Sequence, residues 1–243
     1  MSRRFLTAEW RNLLMLNYEI DPAVLAPLVP KGTEIDSWGG RYFVSVVGFQ
    51  FLKTRVLGLP IPFHRNFLEV NLRFYVRRQA ADGWRRGVVF VKEVVPRFAI
   101  AAIARWVYNE NYVACPMAGG VRPPDPTGSP PGTVEYAWTG RTRRNVMSAT
   151  FAGEPSPLVA GSEEEFITEH YWGYVPQSDG STMEYKVEHP SWRVWRATEP
   201  RLDCDVAGFY GEQYQPALGR GPSSAFVADG SAVAVLRGDG IPA

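Results

Sequence analysis

The clearest periodicity in the chain runs from Phe67 to Val76, where Leu68, Val70, Leu72, Phe74 and Val76 alternate with Glu69, Asn71 and Arg73. Successive side chains of a strand point to opposite faces, so this spacing predicts a β-strand with one apolar and one polar face. Ala81-Asp82-Gly83 supplies turn chemistry, and residues 87–95 return as a second strand, so the two predict a hairpin. Residues 41–55 are apolar on both alternating faces, with Tyr42, Val44 and Val46 on one and Phe43, Val47, Phe49 and Phe51 on the other. That pattern belongs to a strand covered on both sides. Residues 91–117 read as strand, proline stop at Pro96, alanine-rich helix over 97–107, and then a polar-aromatic elbow, Tyr108-Asn109-Glu110-Asn111-Tyr112.

The remaining elements follow from local signals. Asp21-Pro22 reads as an N-cap and first helical residue of a short helix through Val29. Ser162 with Glu165 forms a capping box for another helix before His170. Residues 122–132 carry five prolines and two glycines and predict a surface loop. Residues 134–139 and 143–151 predict a second hairpin across Gly140, residues 183–189, 191–197 and 231–236 further strands, and residues 201–210 a helix. The Gly-Gly pairs at Gly39 and Gly119 read as turns. Many strands in hairpin succession with a few short helices define an α+β class, mostly antiparallel β, expected as one domain over 1–243. Strands with two apolar faces favour a closed or cone-like sheet wrapping a helix over an open sheet with one wet side.

Composition narrows the function classes. Hydrophobic residues make up 45% of the chain, enough for a sizeable core. The 26 basic and 25 acidic residues leave a net charge of +1, which gives no field favouring nucleic acid or an anionic membrane. The arginine clusters Arg77-Arg78, Arg85-Arg86 and Arg141 with Arg143-Arg144 read as solvated hairpin ends. Cys115 and Cys204 match no metal or redox spacing and are expected reduced and buried. The N-terminus lacks the apolar region of a signal peptide, and no apolar run approaches the roughly 20 residues of a membrane helix, so a cytoplasmic protein is expected. There is no Walker A loop, no G-x-G-x-x-G, no G-x-S-x-G elbow and no metal spacing among His64, His170 and His189, so no cofactor and no metal is expected.

What remains is a set of polar residues inside apolar elements. Arg11 sits beside Trp10, and Glu69 alternates with Leu68 and Val70. Each reads either as a solvated outer residue or as part of an inward pair, since a buried charge needs a partner. An inward Arg11 and Glu69 would form a polar floor for a small ligand, and of Lys92 and Glu93 only one can join it, because neighbours on a strand face opposite sides.

Several of these segments are similar to the uncharacterised YqjF-like family of conserved bacterial proteins: NYEIDPAVLAPLVPKGTEID from Asn17, FLEVNLRFYV from Phe67, the stretch 90–117, FITEHYWGYV from Phe166, HPSWRVW from His189 and PSSAFVADGSAVAVLRG near the end. That family is placed in the acetoacetate decarboxylase-like superfamily, and the resemblance implies a cone-shaped antiparallel β-barrel around a central pocket. In the decarboxylases a tyrosine, an arginine before the first strand, acidic residues on neighbouring strands and a Schiff-base lysine after the central helix build the site. Arg11 resembles the family arginine and Glu69 one of the acids. The neighbourhood of the other acid, near Phe43, is apolar here, and at the lysine-pair position this chain has Glu110-Asn111. Neither side chain forms an iminium, so the resemblance implies a pocket without Schiff-base decarboxylation.

Three function classes follow. The first is a pocket that binds a small carboxylate- or carbonyl-containing organic ligand through Arg11, Glu69, Asn109, Glu110, Asn111 and Tyr112. The second is a non-covalent acid/base enzyme of lyase, dehydratase or isomerase type, with Glu110 or Glu69 as acid or base and Tyr108 or Tyr112 as proton donor. The third is an interaction protein using the aromatic stretches 169–174 and 192–195. Homo-oligomer formation is left open.

Overall fold

A computed structural model describes residues 4–60, 64–96, 111–125 and 129–241. The long strands are β1 (Arg4–Glu19), β3 (Phe43–Val56), β5 (Phe67–Ala80), β6 (Gly83–Val95), β14 (Arg193–Asp203) and β15 (Ser224–Leu236). Shorter ones are β2 (Glu34–Ile35), β4 (Leu59–Pro60), β7 (Tyr112–Ala114), β8 (Met117–Arg122), β9 (Gly132–Thr139), β10 (Arg144–Phe151), β11 (Ser156–Pro157), β12 (Trp172–Pro176), β13 (Thr182–Glu188) and β16 (Asp239–Ile241). Pairing is antiparallel except where β6 meets β7 and β12. Short helices cap the rest: Pro22–Leu25, with the Asp21 carboxylate accepting from the Ala23 amide at 2.9 Å, and Glu163–Thr168, with the Ser162 hydroxyl accepting from the Glu165 amide at 3.1 Å. Both starts are the ones that the caps predict.

Seven strands pair in a cycle, β1 to β3, β5, β6, β12, β13, β15 and back to β1. Two of its seams are short. β12 meets β6 only at Trp172–Gly87 and Gly173–Val88, and β13 meets β15 only at Val187–Val235 and Glu188–Ala234. From β15 the pairing also runs outward through β14, β10, β9 and β8.

This arrangement explains why the long strands are apolar on both faces. One core, with Leu14, Val46, Leu72, Tyr136, Trp138 and Met147, fills the space between the ring and the β8–β9–β10 layer. The other, with Leu13, Met15, Val47, Phe49, Tyr75 and Phe226, belongs to the other face of the same strands. Gly48 on β3 allows the close approach of the two layers: a Cβ there would lie 2.5 Å from the Tyr136 ring. No helix among the described residues is long and apolar enough to cross a membrane.

Four expectations need correction or fall outside the described residues. Residues 201–203 continue β14, paired with Ser148 to Val146 of β10, and helix begins only at Val206. Gly119 and Gly120 lie within β8, not in a turn; a Cβ on Gly119 would sit 2.4 Å from the Glu135 carbonyl oxygen, so the glycine permits strand contact. Arg78 and Arg85 are not simply solvated, since both hold the buried Glu184 carboxylate, Arg78 at 3.1 Å. The helix expected over 97–107, with Tyr108, Asn109 and Glu110, lies outside the described residues.

Candidate functional site

All seven strands of the cycle contribute side chains to one cavity of about 150 Å³. Its walls are largely aromatic and aliphatic: Trp10 and Leu13 from β1, Phe49 and Phe51 from β3, Phe67 from β5, Phe90 from β6, Trp172 from β12, Tyr185 and Val187 from β13, and Val235 from β15. Into these walls β5 and β6 insert a polar band. Glu69, Asn71 and Arg73 succeed one another on one face of β5, and Glu93 of β6 pairs directly opposite Asn71. This is the polar face that the alternation in the sequence marks. It is turned inward, because the apolar face packs against the second layer.

Glu69 and Glu93 are buried, and the Asn71 Nδ2 donates to Glu69 Oε1 at 3.0 Å. That bond fixes the amide orientation and leaves Asn71 Oδ1 buried with no partner among the described residues. The Arg73 guanidinium donates through Nη2 to the Ile167 carbonyl at 3.3 Å and lies 5.6 Å from the Tyr75 ring centre. Among the described residues no carboxylate approaches it within 4.0 Å, and its Nε is buried without a partner.

Beside this band stands His170, whose ring is 4.7 Å from that of Tyr75 and whose side chain is 1% exposed. Its Nε2 lies 3.5 Å from Asp36 Oδ2, and Asp36 also receives Arg86 Nε at 2.7 Å. Burial holds the imidazole down at about 4; the adjacent Asp36 opposes this, and the charges of Arg86 and Arg73 add to it. For Asp36 burial acts upward, but the contacts with His170 and Arg86 outweigh it and hold the carboxyl at about 2. The pair is therefore carboxylate and neutral imidazole at pH 7.

A measurable pH dependence follows. His170 titrates near 6.5 when unfolded and at about 4 when folded, so the unfolded chain takes up a proton in this window and the folded protein does not. Stability is full above pH 6.5 and falls toward pH 4, by about 3 kcal/mol at 1.36 kcal/mol per pH unit. In urea titrations from pH 7.5 to 4.5, His170→Gln is expected to flatten this decline; an unchanged slope would contradict it. His189, also lowered by burial, adds a smaller decline of the same sign, which the comparison with the variant subtracts.

Of the residues singled out in the sequence, Glu69 and Tyr112 line the cavity; Tyr112 is held there by the parallel pairing of β7 with Glu93. Asn111 is exposed and donates to the Val91 carbonyl at 2.8 Å. Arg11 does not line the cavity. Trp10 takes the inward position, so its neighbour faces the other side, where Arg11 meets Glu9 at 3.3 Å and the Gly230 carbonyl at 3.2 Å. An irregularity then resets the alternation: Asn12 adopts φ +57°, the register to β3 slips between Arg11 and Leu14, and Leu13 points inward. Lys92 likewise faces away, its Nζ donating to the Phe209 carbonyl and lying 4.7 Å from the Phe209 ring centre. Arg73 and His170 are the residues that sequence reasoning passed over. For Arg73 the signal was present, since it shares a face with Glu69.

The fold is that of the acetoacetate decarboxylase-like proteins. The chain superposes on the acetoacetate decarboxylase of Legionella pneumophila with a TM-score of 0.68 at 12% identity, covering 98% of this chain and 87% of that one. An acetoacetate decarboxylase-like enzyme from Sphingomonas wittichii RW1 gives 0.65 at 14% identity, covering 99% and 94%. The enduracididine biosynthesis enzyme MppR, in a structure complexed with pyruvate, gives 0.66 at 14%, covering 99% and 90%. Within this fold the chain belongs to the DUF2071 family, described as an uncharacterized conserved protein, which matches residues 7–232. It is 35% identical over 75 residues to the uncharacterized protein YqjF of Bacillus subtilis (strain 168), an alignment covering 30% of this chain and 31% of that protein.

Proposed function

We propose that the ring cavity binds a small organic ligand through a carboxylate or carbonyl group, with Arg73 as its receptor. The observation that carries this reading is a guanidinium on the cavity wall with no carboxylate in ion-pair reach among the described residues. A guanidinium offers a planar fork of donors matched to a carboxylate, and in an apolar enclosure such a charge-assisted bond is stronger than in water. Asn71 Oδ1 supplies an acceptor for a hydroxyl or N–H on the same ligand, and Glu69 and Tyr112 complete the polar band. MppR, of the same fold, is complexed with pyruvate, a small keto acid, which supports this ligand class by analogy.

The chain's four lysines, Lys31, Lys53, Lys92 and Lys186, are all described, and none lines the cavity. This supports a site that works without a Schiff base, as the Glu110-Asn111 pair at the resembling position also does. Binding is expected for pyruvate and butanoate by titration calorimetry, with Arg73→Ala weakening it about 10- to 100-fold, the loss of a hydrogen bond to a charged group. Equal affinities in the variant and the unaltered protein would overturn the assignment of Arg73.

A further inference from the structure

The polar band is itself ordered by charge. Inward side chains on β5 follow one another at steps of about 7 Å, so the register sets three levels along the wall. Arg73 stands at the first, with Phe90 opposite; Asn71 and Glu93 share the second; Glu69 stands at the third, with Phe49 opposite. The guanidinium reaches away from the other two levels, to the Ile167 carbonyl and the Tyr75 ring. A donor end and an acceptor end therefore face one enclosed space. At the acceptor end Asn71 is 2% exposed, and because its Nδ2 donates to Glu69, the atom it turns to a guest is Oδ1, which has no partner among the described residues. The rings of Trp10 and Phe49, edge to face at 5.4 Å, wall this end.

We propose that the ligand is an amino-carboxylic acid, its carboxylate on Arg73 and its ammonium at the level of Asn71 and Glu93, the two groups several bonds apart as in γ-aminobutanoate. This rests on the carboxylate reading above and adds the cation. An amide oxygen and a carboxylate only accept, so the group that fits among Asn71, Glu93 and Glu69 is one that only donates, and an ammonium brings three donors with a positive charge. The aromatic walls beside it add cation–π attraction, which is stronger where water is excluded. An α-amino acid carries both groups on one carbon, which is too short for a step of the band.

The test is a calorimetric titration series on the unaltered protein with butanoate, γ-hydroxybutanoate, γ-aminobutanoate, glycine and butylamine, repeated for Arg73→Ala and Glu93→Gln. The γ-amino acid is expected to bind about tenfold more tightly than each of the others, the worth of a hydrogen bond between charged groups. In Glu93→Gln that advantage over butanoate is expected to vanish while butanoate still binds, which also shows that the variant folds. The series on the unaltered protein decides even where the variant does not fold. If butanoate binds through Arg73 but γ-aminobutanoate is no tighter, or γ-hydroxybutanoate matches it, the ammonium is refuted while the carboxylate reading stands. If no acid binds, or Arg73→Ala leaves every affinity unchanged, the carboxylate reading falls and takes this one with it.

Discussion

Asp36→Ala is expected to lower the unfolding free energy by about 3 kcal/mol, measured by urea denaturation at pH 7. The Asp36 side chain is 5% exposed, and its two oxygens hold Arg86 at 2.7 Å, the Ser37 amide at 2.9 Å and His170 at 3.5 Å. Removing the carboxylate takes the ion-pair partner from the half-buried Arg86 guanidinium and leaves it beside a buried imidazole. The loss of a partner in such a place costs more than the intact pair contributes. Exposed pairs give the contrast: Glu34→Ala removes an ion pair to Arg77 that lies in solvent, and a change below about 1 kcal/mol is expected. The Asp36 contribution also has a pH signature. With the folded carboxyl at about 2 and the unfolded one near 3.8, the pair stabilises fully above pH 4, and the contribution is lost as pH falls through 2. An Asp36→Ala cost that did not shrink between pH 4 and pH 2 would contradict the ion-pair origin.

Trp138→Ala is expected to be the costlier change, about 4 kcal/mol, with the cavity's ligand affinity unaltered. Trp138 is fully buried on β9 in the core between the ring and the second layer, 5.9 Å from Phe209 and 6.5 Å from Tyr210 between ring centres. The residues that line the cavity sit on the opposite face of the ring strands, so a hole at Trp138 empties a different core. Its indole Nε1 has no hydrogen-bond partner among the described residues, so Trp138→Phe deletes a donor that makes no bond and is expected to cost well under half as much. The same calorimetric titrations read the second half of the claim. A tenfold loss of ligand affinity in Trp138→Ala would show that the two cores are coupled.

Much of the fold is legible in the chain because period-two alternation is a direct image of a strand with two different sides. The β5 pattern, the doubly apolar β3 and the caps at Asp21 and Ser162 stand in the structure where they were read. The orientation of a polar face is not legible in the same way. Glu69, Asn71 and Arg73 make the same pattern whether they meet water or a cavity, and only the layer packed on the reverse of β5 decides between them. Arg11 shows the complementary difficulty: beside an aromatic residue it reads as either inward or outward, and the irregularity at Asn12, invisible as a pattern, shifts which neighbours turn in. His170 gave no sequence signal, since its partner Asp36 is 134 positions away and the two meet only by folding.

The cycle's two narrow seams have a consequence for access. Strands β12 and β13 are held to the neighbouring staves by two residue pairs on each side, while β1, β3 and β5 are joined along most of their length. Trp172, Tyr185 and Val187 of that hairpin face the interior, so the part of the vessel easiest to pry loose is also part of its lining. If the cavity takes the proposed ligand, substitutions along Trp172–Pro176 and Thr182–Glu188 are expected to change how quickly it enters and leaves, and those along Phe67–Ala80 how tightly it is kept.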